Sequence, residues 1–382
     1  MKFGYVNILE QPLSLPYADL LDNLREQAVL CDQSGWEHIW LGEHHFGVTG
    51  RDNTPNPFML AADLGARTER LRLGIAVVVL PLWHPLRAAE NITLLDQMHR
   101  GRVEIGFGRA SQPHEVVTFN PAADPRNESG SREVFAESLE IVRTACTEKF
   151  FSHQGKHYQL PPPGVTWASR EGVEESPEWI RDGEVYRLHL VPEPYTCPHP
   201  PFWMAVSTEP SVRVTADLGL KPIIWRQSSL MIKQWIKSYA EVFAAKGNPL
   251  ANPASQWAVL RNIYVAPTME EARRDYEPVI MESLRYRAAD PWRALKAHLD
   301  PGEEQTPEMK LDFDFLQNRS MLCGSPEFVA EKLLELEDIT GVQTLLAGVG
   351  TVGLSQKKLM RCLTLFAEQV MPRVQEGSQV TA

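Results

Sequence analysis

Gly42-Glu43-His44-His45-Phe46 places two histidines directly after a short apolar run. Imidazole titrates near neutral pH, so a histidine there can give or take a proton. Neighbours on extended chain point to opposite sides, so only one of the pair can face a common centre. Zinc needs three or four converging ligands, and no HExxH or comparable companion accompanies the pair. Proton handling by one of the pair is thus preferred to metal binding, with a satisfied structural histidine as the plain alternative.

Ser207-Thr208-Glu209-Pro210-Ser211 opens a helical pattern with proline in its first turn. Backbone N–H groups and hydroxyls at such a turn can hold a phosphate. Arg109 offers a charged, planar hydrogen-bonding fork for the same task. The plainer reading of Ser207 or Thr208 is a helix cap. No Walker A motif is present, Gly106-Phe107-Gly108 lacks the third glycine of a dinucleotide loop, and no GxSxG elbow occurs.

Eight apolar, β-branched runs could position these groups: Phe3–Ile8, His38–Leu41, Leu71–Leu80, Arg102–Gly108, Phe202–Ser207, Pro222–Trp225, Trp257–Ala266 and Val342–Ala347. Near-continuous apolar runs such as IAVVVL suit strands buried on both faces of a parallel sheet. Helical spacing follows each of them; in the first helix it is Tyr17, Leu20, Leu21, Leu24, Ala28 and Cys31, stopped by Gly35. Ser325–Leu336 predicts an extra helix. Eight strand–helix units point to a single (β/α)8 TIM barrel over 1–375, with an open doubly wound sheet as the alternative and 376–382 as a flexible tail.

In such a barrel the chemistry sits at the C-terminal ends of the strands, where His44, Ala76-Val77, Trp83-His84, Arg109, Ser207–Ser211, Trp225-Arg226 and Gly348–Gly350 fall. Two long insertions interrupt the rhythm. Residues 155–201 read as an elaborated loop with a hairpin around EVYRLHLV. Residues 286–317 read as too polar and proline-broken for a core element, and long segments of this kind are commonly lids.

Thirty-eight basic residues against 49 acidic ones leave a net charge of −11, which argues against nucleic acid as a general partner. Hydrophobic residues make up 43%, enough for a substantial core. Five scattered cysteines without CxxC spacing disfavour a disulfide framework or thiolate metal site. Neither a signal peptide nor a run of roughly 20 apolar residues is present, so a cytoplasmic protein is expected.

Several blocks carry a family resemblance: WLGEHHF (40–46), GIAVVVLPLWHPLR (74–87), ENITLLDQMHRGRVEIGFGR (90–109), the Ser207–Ser211 turn with LGLKPIIW behind it, CGSPEF (323–328), and GTVGLS with LFAEQVMP at the end. In order and spacing the chain resembles the bacterial luciferase-like flavin monooxygenases, in particular their catalytic-subunit type. The resemblance implies a TIM barrel, reduced FMN, and oxygen activation through a flavin C4a-peroxide.

It also implies a catalytic role for His44, flavin or phosphate contacts at Arg109, Ser207, Thr208 and Ser211, and a cis peptide at Ala76-Val77 beside the flavin ring. Gly108 stands where the luciferase has a reactive cysteine, which opens room for another substrate. His45 and Glu115 fall near the subunit interface of the family, so a homodimer is expected. Residues 286–317 fall on its mobile lid. Without a dinucleotide motif, a separate NAD(P)H:flavin reductase is expected to supply reduced FMN.

Two competitors remain open from sequence: a deazaflavin- or flavin-dependent dehydrogenase of the same superfamily, and a non-catalytic flavin-binding partner subunit. Retention of the lid segment favours the catalytic type. The substrate, and the choice among hydroxylation, Baeyer–Villiger insertion and C–S or C–N cleavage, stay open.

Overall fold

The computed structural model of the protein describes residues 1–10, 14–47, 50–51, 54–109, 112–167, 176–288 and 290–380. Eight parallel strands form a closed ring: β1 (Lys2–Asn7), β2 (His38–Leu41), β3 (Arg72–Val79), β4 (Val103–Gly108), β5 (Phe202–Val206), β6 (Lys221–Trp225), β7 (Ala258–Val265) and β8 (Thr344–Gly348). They follow one another in that order, with β8 returning to β1. The fold is the expected α/β barrel, and all eight predicted strands are present within two residues of their predicted ends.

A ninth strand, Met321–Gly324, was not foreseen. It arises because β7 outruns β6. Ala258–Leu260 pair with Ile223–Trp225, and Asn262–Val265 then pair with Met321–Gly324 along the same edge. The added strand thus takes up backbone groups that would otherwise lie unpaired.

The chain divides into two compact units, 1–77 with 202–382, and 78–201. In the first, Val6, Trp40, Trp203, Ile223, Ala258 and Leu346 make a core cluster on the inward faces of their strands. Trp40 meets Trp203 edge-on at 5.7 Å between ring centroids. Gly74 makes room for that indole, since a Cβ there would lie 2.1 Å from it. Five helices in this unit start on hydroxyl caps: Thr208, Ser228, Thr268, Ser325 and Ser355 each accept from the backbone N–H three residues on.

Residues 286–317 are more structured than expected. Helices Pro291–Lys296 and Phe313–Gln317 form there, and Leu295, His298, Leu299, Phe313 and Leu316 are buried. Polar and proline-broken as the stretch is, these residues turn inward, whereas Tyr286 and Trp292 stay exposed. The last helix, Met371–Val380, carries helical backbone through most of the segment read as a tail.

In the second unit, helices Pro85–Met98, Pro113–Phe119 and Glu128–Thr147 accompany β4, the second of them unforeseen. The elaborated loop contains two short hairpins, His153–Gln154 with Gln159–Leu160 and Ile180–Arg181 with Glu184–Val185. Asp182-Gly183 turns the latter with both φ positive, as a two-residue hairpin requires. Two helix acids fasten the loop. Asp96 accepts from Thr196 N at 2.7 Å and Thr196 Oγ1 at 3.0 Å. Glu137 accepts from the backbone N–H groups of His157 and Tyr158.

Candidate active site

A cavity of about 170 Å³ opens at the C-terminal strand ends of the first unit. Val6, Ile8 and Glu10 reach it from the end of β1, His44 from the loop after β2, and Ala76 from β3. Trp225, Leu260, Asn262, Gly348 and Thr351 continue the wall, and Ile280, Ser283, Leu284 and Arg287 close it from the helix Met269–Arg287. His44 and Ala76, singled out from sequence, therefore share one cavity. The Ala76-Val77 peptide bond is cis, as the resemblance implied.

His44 and His45 separate as their alternation demands. His44 lines the cavity, its backbone N–H donating to Thr54 O at 3.0 Å. The His45 ring engages Glu43, with 3.0 Å between Nε2 and Oε1. One imidazole is thus turned to the cavity and the other to a carboxylate.

The Ser207–Ser211 turn folds as a capping box. Thr208 Oγ1 accepts from Ser211 N at 3.4 Å, and Ser211 Oγ accepts from the N–H groups of Thr208 and Ser207 at 3.2 and 3.3 Å. Ser207 and Thr208 are exposed. The geometry meets the cap reading in full, and it also leaves hydroxyls and a positive helix end facing outward, a donor set that fits a phosphate. Glu209 beside it is compensated by Arg213 at 3.0 Å and by the Ser238 hydroxyl, which hold its carboxyl below the usual range.

Gly108 ends β4 in the second unit, fully within the core, and Arg109 follows it. Burial pushes the Arg109 guanidinium down, Arg132 adds to the effect, and Glu128 opposes it.

Sequence reasoning missed Glu10, Asn262 and Arg287. Asn262 carried a signal, since an Arg-Asn pair inside the apolar run AVLRNIYV is out of keeping with a buried strand. The buried Glu10 and the partly buried Arg287 form an ion pair across most of the chain's length, for which local sequence holds no sign. A second pair, Arg51 with Glu282 at 2.9 Å, ties the same helix to the loop after β2.

A parallel barrel whose strand ends gather an imidazole, a non-proline cis peptide and a mostly apolar cavity defines a class of enzyme architecture. The luciferase-like monooxygenase family model matches residues 1–343, and the chain belongs to that family of oxidoreductases. It is 24% identical over 99% of its length to 99% of an alkanal monooxygenase alpha chain from the Kryptophanaron alfredi symbiont. Among solved structures it is similar to the oxygenating constituent of 3,6-diketocamphane monooxygenase from Pseudomonas putida, a type II Baeyer–Villiger monooxygenase in complex with FMN (TM-score 0.74, 22% identity, 98% of this chain and 99% of that one). It is similar too to a coenzyme F420-dependent tetrahydromethanopterin reductase from Methanopyrus kandleri (TM-score 0.67, 15% identity, 98% and 99%).

Proposed function

We propose that this monooxygenase is the oxygenase of a two-component system, using reduced FMN and O2 to oxygenate a small organic molecule. A separate NAD(P)H:flavin reductase supplies the reduced flavin in this reading, and the working form is a cytoplasmic homodimer. The observation that carries the reading is that His44 and Ala76 line one mostly apolar cavity at the C-terminal strand ends. When bound, reduced FMN supplies the electrons that leave one oxygen atom in substrate and the other in water.

The protein's own groups have definable tasks. His44 holds or moves a proton at its imidazole, facing the space where substrate would lie. Val6, Ile8, Trp225, Leu260, Ile280 and Leu284 keep the cavity apolar and exclude water, which limits wasteful release of hydrogen peroxide. Asn262 supplies a neutral hydrogen-bonding amide, and the Glu10–Arg287 pair is charge-compensated, so the wall carries little net charge. Ser207, Thr208 and Ser211 take the phosphate by hydroxyl and backbone N–H, and Arg109 is an expected further contact. Gly108 and the Ala76-Val77 peptide are expected to touch the flavin ring.

The oxygenating constituent named among the similar structures supports a reductase partner, and its FMN supports the cofactor. The F420-dependent neighbour favours a second reading, hydride transfer with a deazaflavin. Oxygen consumption with photoreduced FMN across a panel of small substrates separates the two. Substrate-dependent oxygen uptake is expected; deazaflavin-dependent hydride transfer without oxygen uptake would replace the first reading by the second.

A further inference from the structure

Along β7, Leu260 and Asn262 point into the barrel cavity, so Arg261 between them points to the opposite face. There its guanidinium is only 2% exposed. It donates to Gln227 O at 2.9 Å and Leu260 O at 3.2 Å, both backbone carbonyls. Among the described residues no carboxylate lies within ion-pair distance of it. A buried charge without a counter-charge is costly, and backbone dipoles offset only part of that cost.

The surroundings add positive charge. Among the described residues Arg226 Nε is buried without a partner, its guanidinium stacked 4.3 Å from the Trp225 ring centroid. Burial, with the positive charges of Arg226, Arg261 and Arg319, pushes the buried His298 down to about 4. The nearby acids are already engaged. Glu303 takes Arg319 with two bonds of 2.7 Å, Glu335 takes Lys332 at 2.5 Å, and Asp300 stands 3.8 Å from Arg319. After these pairings the Arg261 charge is left over.

Arg261 does not face packed side chains alone. It lines a cavity of about 50 Å³ with Ser229, Arg319, Lys332 and the Lys332-paired Glu335, and a neighbouring groove of about 290 Å³ shares Ser229, Arg319 and Glu335 and adds Asp300. Such a cavity exceeds the space one water needs. Ser229 begins a 17-residue helix whose first free N–H groups favour negative charge.

We propose that the outer face of β7 carries a site for a small oxyanion of the phosphate or sulfonate class, held by Arg261 with Arg319 and the Ser229 helix start. The site is separate in residues from the Ser207–Ser211 turn and does not depend on the flavin reading. Its ligand supplies the charge that Arg261 lacks. The groove would accommodate the organic part of a phosphomonoester.

Calorimetric titration of the full-length protein with inorganic phosphate, at fixed ionic strength in chloride, tests this. A phosphate-binding event should persist in Ser211→Ala, whatever that change does at the flavin turn, whereas in Arg261→Met it should weaken at least roughly tenfold, as loss of a charge-assisted contact implies. Arg319→Gln is the second variant, at a partly exposed position, and it should weaken binding if Arg261→Met fails to fold. Glycerol phosphate binding more tightly than inorganic phosphate would assign the groove to a phosphorylated small molecule; equal binding would assign the site to the free anion. No phosphate binding by wild type, or binding lost in Ser211→Ala but kept in Arg261→Met and Arg319→Gln, overturns the proposal.

Discussion

At the scale of single residues, His44 and His45 show how neighbours on one loop divide between chemistry and support. His45 is occupied by Glu43, whereas His44 borders the cavity. His44→Ala should lower substrate oxygenation by about 10²–10⁴-fold, the usual worth of positioned acid–base assistance. Stopped-flow mixing of the reduced enzyme with oxygen reads that loss, and a thermal melt should show little change. Full activity would remove the catalytic role, while a collapsed melt would make the residue structural. The Ser207–Ser211 turn is tested differently, because capping and phosphate binding use the same atoms. Thr208→Ala should cost about 1 kcal/mol of stability as a lost cap. Arg109→Ala and Ser211→Ala should weaken binding of reduced FMN by roughly ten- to a hundredfold if these residues hold the phosphate. Unchanged affinity in a flavin titration would move the phosphate elsewhere.

At the scale of elements, the 286–317 stretch is the instructive case. Its polarity and prolines conceal an anchoring row, Leu295, Leu299 and Phe313, that packs as any core does. Leu295→Ala should therefore destabilise the protein by about 2–5 kcal/mol, read from a denaturant midpoint. A change near zero would show that the stretch opens at little cost, as a lid needs. His298, on the same stretch, adds a pH dependence. Unfolded, its imidazole takes a proton below about pH 6.5. Folded, burial and the surrounding arginines hold it neutral down to about 4. Between those values the unfolded chain binds the extra proton, so stability should fall as pH drops from about 6.5 and level off near 4. The loss is on the order of 3 kcal/mol, and His298→Gln should abolish that part of the pH profile. A profile unchanged by the substitution would show that the imidazole ionises freely in the fold.

At the scale of the whole molecule, the barrel belongs to an oxidoreductase family and the chain carries a net charge of −11. No helix among the described residues is long and apolar enough to cross a membrane. The proposed homodimer is a property at this scale. Sedimentation equilibrium should return twice the 43.1 kDa chain mass, and a monomer at working concentration would end that part of the proposal.

The strand–helix alternation was legible because a strand buried on both faces must be nearly all apolar, and a helix beside it must carry a stripe at 3.6-residue spacing. Both constraints act within a few residues, and the luciferase-like blocks were equally local. His44, the cis peptide at Ala76-Val77 and the Ser207–Ser211 turn could be located that way. The added strand Met321–Gly324 could not, since it exists only because β7 extends past β6. The partnership of Glu10 with Arg287, and of Arg261 with a cavity rather than a carboxylate, were likewise decided in three dimensions. Local sequence sets what each segment can become, because propensity and periodicity are short-ranged. Which side chains then face one another is set by the closure of the sheet, which brings together residues the chain holds hundreds of positions apart.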